Sequence, residues 1–105
     1  MNMQALMQQA QRMQKDIMNK KAEVDKKIFP GKSELVDVEV NGKKEVVSVN
    51  IKNKEELTAE DIEILQDMIV IAINDAMSKV DEELNKVMGP YGNSLNGLLW
   101  FILKV

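Results

Sequence analysis

Met3-Gln4-Ala5-Leu6-Met7-Gln8-Gln9-Ala10-Gln11-Arg12-Met13-Gln14-Lys15-Asp16-Ile17 is the stretch from which the fold can be read. Its apolar residues fall at Met3, Leu6, Ala10, Met13 and Ile17, and the series resumes at Val24 with Lys20 in the vacant seam position. The spacing predicts a helix from about Met3 to Lys26 carrying a two-in-seven stripe, narrower than the apolar face of an ordinary core helix. So thin a stripe buries little surface alone. It calls for another helix, and a second copy of the chain can supply one. The pattern points to an interaction protein rather than to a pocket.

Downstream, Phe29-Pro30-Gly31 breaks the helix, and a short extended piece near Lys27–Phe29 suits an edge strand. Val36, Val38 and Val40 alternate with Asp37 and Glu39, as in a half-buried strand. Asn41-Gly42 marks a turn. Val47, Val49 and Ile51 then alternate with Ser48, Asn50 and Lys52 as a second strand. A two-residue loop would set Val38 opposite Glu45 and Val40 opposite Lys43, mixing charge into the apolar face. A four-residue loop, Asn41–Lys44, sets Val38 opposite Val47 and Val36 opposite Val49. The second register is the expectation, with Lys43 and Lys44 exposed at the tip.

A second helix opens at Thr58, with Asp61 placed for a short-armed capping box and Leu57 and Ile62 at staple spacing. Ile62, Leu65, Ile69, Ala72, Ala76, Val80, Leu84 and Val87 continue at helical spacing, and Gly89-Pro90 ends the run. The additional Ile64, Met68, Val70, Ile71 and Ile73 make Ile62–Met77 apolar almost all round. One small sheet covers only one side of such a helix. The rest must meet the first helix, a partner subunit, or both.

Composition bounds the chemistry. A chain of 105 residues forms one domain with a modest core. It has no cysteine and no histidine, which removes disulfides, thiolate sites, the commonest general base and the commonest transition-metal ligand. The amino end lacks a signal-peptide pattern, and the apolar runs Met68–Ile73 and Leu98–Leu103 are too short to span a bilayer. The expectation is a cytoplasmic protein, not an enzyme, with no cofactor, metal, small-molecule substrate or membrane partner. Charge is unevenly spread: residues 1–32 sum to +4 and residues 33–105 to −7, giving −3 overall. An acidic body with a basic arm can approach a polyanion by the arm.

Three segments carry a resemblance. Leu6-Met7-Gln8-Gln9-Ala10-Gln11-Arg12-Met13-Gln14, the Val36–Val40 strand with Asn41-Gly42, and Ile73-Asn74-Asp75-Ala76 together resemble the YbaB/EbfC family of bacterial nucleoid-associated proteins. Order and spacing agree over about residues 3–90. The resemblance implies an α+β protein: a long N-terminal helix, a three-stranded antiparallel sheet and a long second helix. It further implies a homodimer joined through the sheet and second-helix region, with the first helices projecting as arms that bind DNA with little sequence preference in the nucleoid. Two features depart from the family pattern. The usual glycine-rich link before the second strand is Pro30-Gly31-Lys32-Ser33-Glu34, and the usual Met/Gly/Pro-rich tail is replaced by Leu98-Leu99-Trp100-Phe101-Ile102-Leu103. The chain therefore divides into a domain over residues 1–90 and an apolar tail over residues 91–105.

Candidate DNA contacts are Arg12, Lys15, Lys20, Lys21, Lys26 and Lys27 on the arm, with Lys43 and Lys44 at the hairpin tip. Arg12, Lys15 and Lys26 occupy c and f positions opposite the seam, where solvated charge is common and where a stripe could track phosphates. A single arginine serves bidentate base readout poorly, so binding would be led by the phosphate backbone and sensitive to salt. Candidate dimer contacts are Ile69, Ala72, Ile73, Asn74, Ala76 and Trp100. Asn74 and Asp75, set in the most apolar stretch, fit a structural role in hydrogen bonding. The alternative is a protein–protein adaptor whose arms grip a partner helix and bind no DNA.

Overall fold

The structure, a computed structural model, describes residues 2–89. Helix α1 (Met3–Asp25) leads to β1 (Ile28–Lys32), β2 (Val36–Asn41) and β3 (Val46–Ile51), and α2 (Ile62–Met88) follows. The three strands form one antiparallel sheet in the order β1-β2-β3. The α+β architecture is the one expected. Asn2 caps α1, its side-chain oxygen accepting the Gln4 N–H at 3.1 Å. Ahead of α2, the Asp61 carboxylate accepts the Thr58 N–H at 2.9 Å and its hydroxyl at 3.2 Å. The first turn, Ala59–Asp61, is a 3₁₀ turn that passes directly into α2.

β1 is longer than the expected Lys27–Phe29 and runs straight through Pro30 and Gly31. An edge strand tolerates proline when its missing N–H faces outward. Gly31 is needed for a different reason. A Cβ there would collide with the Ala72 carbonyl oxygen, and it would press on the Ala76 methyl. Gly31, Ala72 and Ala76 thus let β1 lie directly on α2.

The hairpin corrects the expected register. The loop holds three residues rather than four: Asn41 N–H donates to the Glu45 carbonyl at 3.0 Å, and Lys44 N–H returns to the Asn41 carbonyl at 3.0 Å. Lys44 adopts a left-handed φ of 64°, the conformation that closes a three-residue hairpin. The Asn41 side-chain oxygen holds the turn by accepting from Lys43 N–H at 2.9 Å and Glu45 N–H at 3.0 Å. A bulge follows, with Val46 paired to Val40 and Ser48 to Glu39, so Val47 is the extra residue. Val38 therefore faces Val49 and Val36 faces Ile51. Apolar side chains still oppose one another, but shifted by two residues from the Val38–Val47 and Val36–Val49 pairs that strict alternation suggests.

The core is Val36, Val38 and Val40 of β2, with Phe29, Ala72, Ala76, Val80 and, from the end of α1, Val24. α2 packs over β1 and β2. It leaves most of β3 uncovered: Val46, Val47 and Val49 are exposed, Val49 to 46%, and only Ile51 at the strand's end packs against the core. The molecule measures 70 × 23 × 20 Å, whereas α2 alone is about 40 Å long at 1.5 Å per residue. Much of α1 accordingly stands clear of the body. Every residue from Asn2 to Asp16 is exposed.

Candidate nucleic-acid interface

The root of the arm is set by a close contact. Gly42, at the hairpin tip, lies against the Val24 carbonyl so closely that any Cβ would overlap it. This brings the end of α1 and the tip of the sheet together. Ala22 and Asp25 of α1, with Lys26 just past its end, then share one shallow depression with Asn41, Lys43 and Glu45.

The c and f positions read Arg12, Lys15, Asn19, Ala22 and Lys26 along α1, steps of three and four residues that form one stripe. All five are exposed. Arg12 to Lys26 spans about 21 Å of helix. The stripe runs into the depression that holds Lys43, so cations from two elements meet there. Lys21 is also exposed, on the neighbouring face.

The remaining candidates are engaged or set apart. Lys27 Nζ meets Glu83 Oε1 at 2.7 Å. Lys44 Nζ meets Asp81 Oδ1 at 2.5 Å. Both ammonium groups tie the arm root and hairpin tip to α2. The Lys27 contact holds the Glu83 carboxyl below its usual value. Lys20 occupies the seam side of α1, is half-buried and has a partner there.

The residues expected at the dimer seam separate into two groups. Ala72 and Ala76 have no exposed surface, because β1 lies on them within one chain. Ile69 and Ile73 are half-buried at the border of the core, and Asn74 is exposed. Trp100 and the rest of the tail over residues 91–105 lie outside the described residues.

The sequence reading singled out Asp75 but not its partners. Its Oδ2 accepts the Lys32 N–H of β1 at 3.0 Å, and Lys79 Nζ donates to the Pro30 carbonyl at 2.6 Å. The Lys32 N–H, followed by Lys79, holds the Asp75 carboxyl below its usual value. Among the described residues, no group of side chains has the makings of a metal site. No described helix is long and apolar enough to cross a membrane.

The arrangement has counterparts. A solved structure of an uncharacterized protein from Helicobacter pylori shares the fold with a TM-score of 0.73 at 25% identity, covering 87% of this chain and 97% of that one. A nucleoid-associated protein of Pediococcus pentosaceus is 54% identical over 35 residues, 33% of this chain and 34% of the relative. One from Ligilactobacillus salivarius is 46% identical over 35 residues, with the same 33% and 34% coverage. These matches span about a third of the length of each curated relative. The sequence model of the YbaB/EbfC DNA-binding family, not an enzyme family, matches residues 1–95, and the chain belongs to that family.

Proposed function

We propose that this protein binds double-stranded DNA through the outer face of α1 and the adjoining hairpin tip, as a homodimer, with little sequence preference. The observation that carries the reading is the exposed Arg12–Lys15–Lys26 stripe on a helix that stands clear of an acidic body and leads into Lys43. Family membership and the names of the relatives support it. Phosphates are the partners that such a stripe suits, since lysines supply charge without a base-reading fork. The seven net negative charges of residues 33–105 repel the duplex from the body and leave the arm as its approach. In a bacterial cell the place of action is the cytoplasmic nucleoid.

The homodimer reading rests on surface that one chain leaves uncovered. Ile69, Ile73 and Met77 lie half-buried on the flank of α2 that turns toward β3, the flank whose Asp81 reaches Lys44. Beside them Val46 and Val49 are exposed on the helix-facing side of β3, and Val70, 57% exposed, extends the patch along α2. A contiguous apolar patch of this kind on a soluble chain is characteristic of an interface. Two copies apposed along this face would cover it and leave both arms free.

A gel shift with a duplex of mixed sequence, repeated from 50 to 200 mM salt, tests the DNA reading. Binding with a slope of about 0.9 per phosphate contact supports it. Absence of binding at the lowest salt would transfer the arms to a protein partner, the adaptor reading.

A further inference from the structure

We propose that the apolar tail, Leu98–Leu103, lies along the uncovered apolar stripe of α1 in the same chain. The stripe is exposed in proportion to its distance from the body. Val24 is buried, Ile17 is half-buried, Met13 is 38% exposed, Leu6 44% and Met3 76%. It is a seam with one side missing.

Three contacts define where the missing side comes from. Going backwards from β1 into the arm root, Lys32 meets Asp75, Pro30 meets Lys79 and Lys27 meets Glu83. β1 and the arm root thus run antiparallel to α2, one turn of α2 for each step. Val24 belongs to the same core cluster as Val80, and Leu84 and Val87 pack against that cluster. Continued at the same rate, about one helical turn per step from the Lys27–Glu83 contact, the next seam positions of α1, Lys20 and Ile17, come level with the end of α2 at Met88. Beyond that level α1 continues and α2 does not. Gly89, the last described residue, is therefore placed toward the open end of the stripe.

Length and chemistry agree with this placement. Residues 90–97 separate Gly89 from Leu98 and reach about 27 Å when extended. The stripe from Ile17 back to Met3 is about 21 Å long. Six residues in extended form cover about 20 Å. Leu98–Leu103 is uninterruptedly apolar, includes Trp100 and Phe101, and holds no charge or proline, so it must be covered in a soluble protein. Lying on the seam, it leaves Arg12, Lys15 and Lys26 on the opposite face of α1. Its placement is independent of whether those residues bind DNA.

Trp100 is the only tryptophan and the chain has no cysteine, so labels can be placed singly in the full-length protein. A nitroxide on Met13→Cys should quench Trp100 severalfold, while one on Asn50→Cys, exposed on the outer face of the sheet, leaves it nearly unchanged. In the unlabelled protein, Met13→Lys should shift Trp100 emission to the red without loss of helix by circular dichroism, because Met13 supports no part of the core. Quenching from Asn50→Cys alone would place the tail on the sheet and overturn the proposal. Emission that is water-like and unquenched by either label would overturn it too. Mixed dimers of unlabelled wild type with nitroxide-labelled Met13→Cys, Trp100→Phe separate the two chains. Quenching of the wild-type tryptophan there would assign the stripe to the other subunit's tail and overturn the same-chain placement.

Discussion

The Asp75 carboxylate accepts the backbone N–H of Lys32 at 3.0 Å, so a helix side chain closes the outer edge of strand β1. Lys79 adds a bond to the Pro30 carbonyl at 2.6 Å, and Pro30 has no N–H to offer. An open strand edge invites pairing with another chain. Here that invitation is withdrawn at β1, which leaves β3 as the available edge of the sheet.

The Asp75 contact carries a pH dependence. Its folded pKa lies below the ordinary value of 3.8, chiefly because the Lys32 N–H favours the charged form. A group shifted in this direction stabilises the fold above its unfolded pKa and loses that contribution as pH falls through the folded value. Asp75→Asn should therefore be less stable than the parent near neutral pH, and the gap should close as the solution is acidified below about pH 4. Urea titrations of both proteins across that range check this. A gap that stays constant would mean the carboxylate charge contributes nothing.

Gly31 offers a test of the close approach. A methyl there meets the Ala72 carbonyl, the Ala76 side chain and Val38 at once, and two of these lie on α2. Gly31→Ala should cost about 1–3 kcal/mol through overpacking, the range for an extra methyl in a filled core. Chemical denaturation measures it. An unchanged midpoint would mean that β1 and α2 part easily, and that Ala72 and Ala76 are not held against the sheet.

Much of this architecture was legible in the residues because period and punctuation agree. Val36, Val38 and Val40 alternate and are all buried, and Asn41-Gly42 marks the turn between β2 and β3. The three-step and four-step pattern at Met3–Val24 predicted α1 to within one residue at its end. The register was not legible, because a bulge is a local count of residues and leaves no periodic trace. The span of β1 was obscured by Pro30, which breaks a helix yet sits comfortably on a sheet edge. Ala72 and Ala76 look like seam residues because they are small and apolar at helical spacing. Whether such a residue meets β1 or a second subunit depends on tertiary approach, which no pattern within α2 encodes. For the basic arm, the sequence located the cations. The pairing of Lys27 with Glu83 and Lys44 with Asp81 needed the three-dimensional path of α2.

The dimer face can be broken without touching the core. Val70 is 57% exposed in the single chain and lies outside the core cluster, so Val70→Asp leaves Val38, Ala72 and Val80 undisturbed. If the face joins two copies, the change buries an unpaired carboxylate there, and such a change costs on the order of 3–5 kcal/mol when the charge finds no partner. Sedimentation should show the variant shifted toward a folded monomer at concentrations where the parent is a dimer. A parent that sediments as a folded monomer at micromolar concentration would remove the interface.

Arg12 and Lys15 test the DNA surface most directly. They lie one turn apart on α1, both are exposed, and neither belongs to the core. Arg12→Glu with Lys15→Glu should leave helix content and thermal stability unchanged. Charge reversal at two phosphate-facing positions should weaken binding to every duplex alike. It should also lower the salt slope by about one unit for each phosphate that is no longer neutralised. Uniform weakening is the informative part. A base-reading residue would lose affinity selectively for its preferred site, whereas a phosphate contact has no preferred site to lose. Fluorescence anisotropy with two duplexes of unlike sequence across a salt series distinguishes the cases. Unchanged affinity would move the binding surface to the far end of the stripe, and Lys26→Glu with Lys43→Glu, in the depression they share, would then be the pair that weakens it.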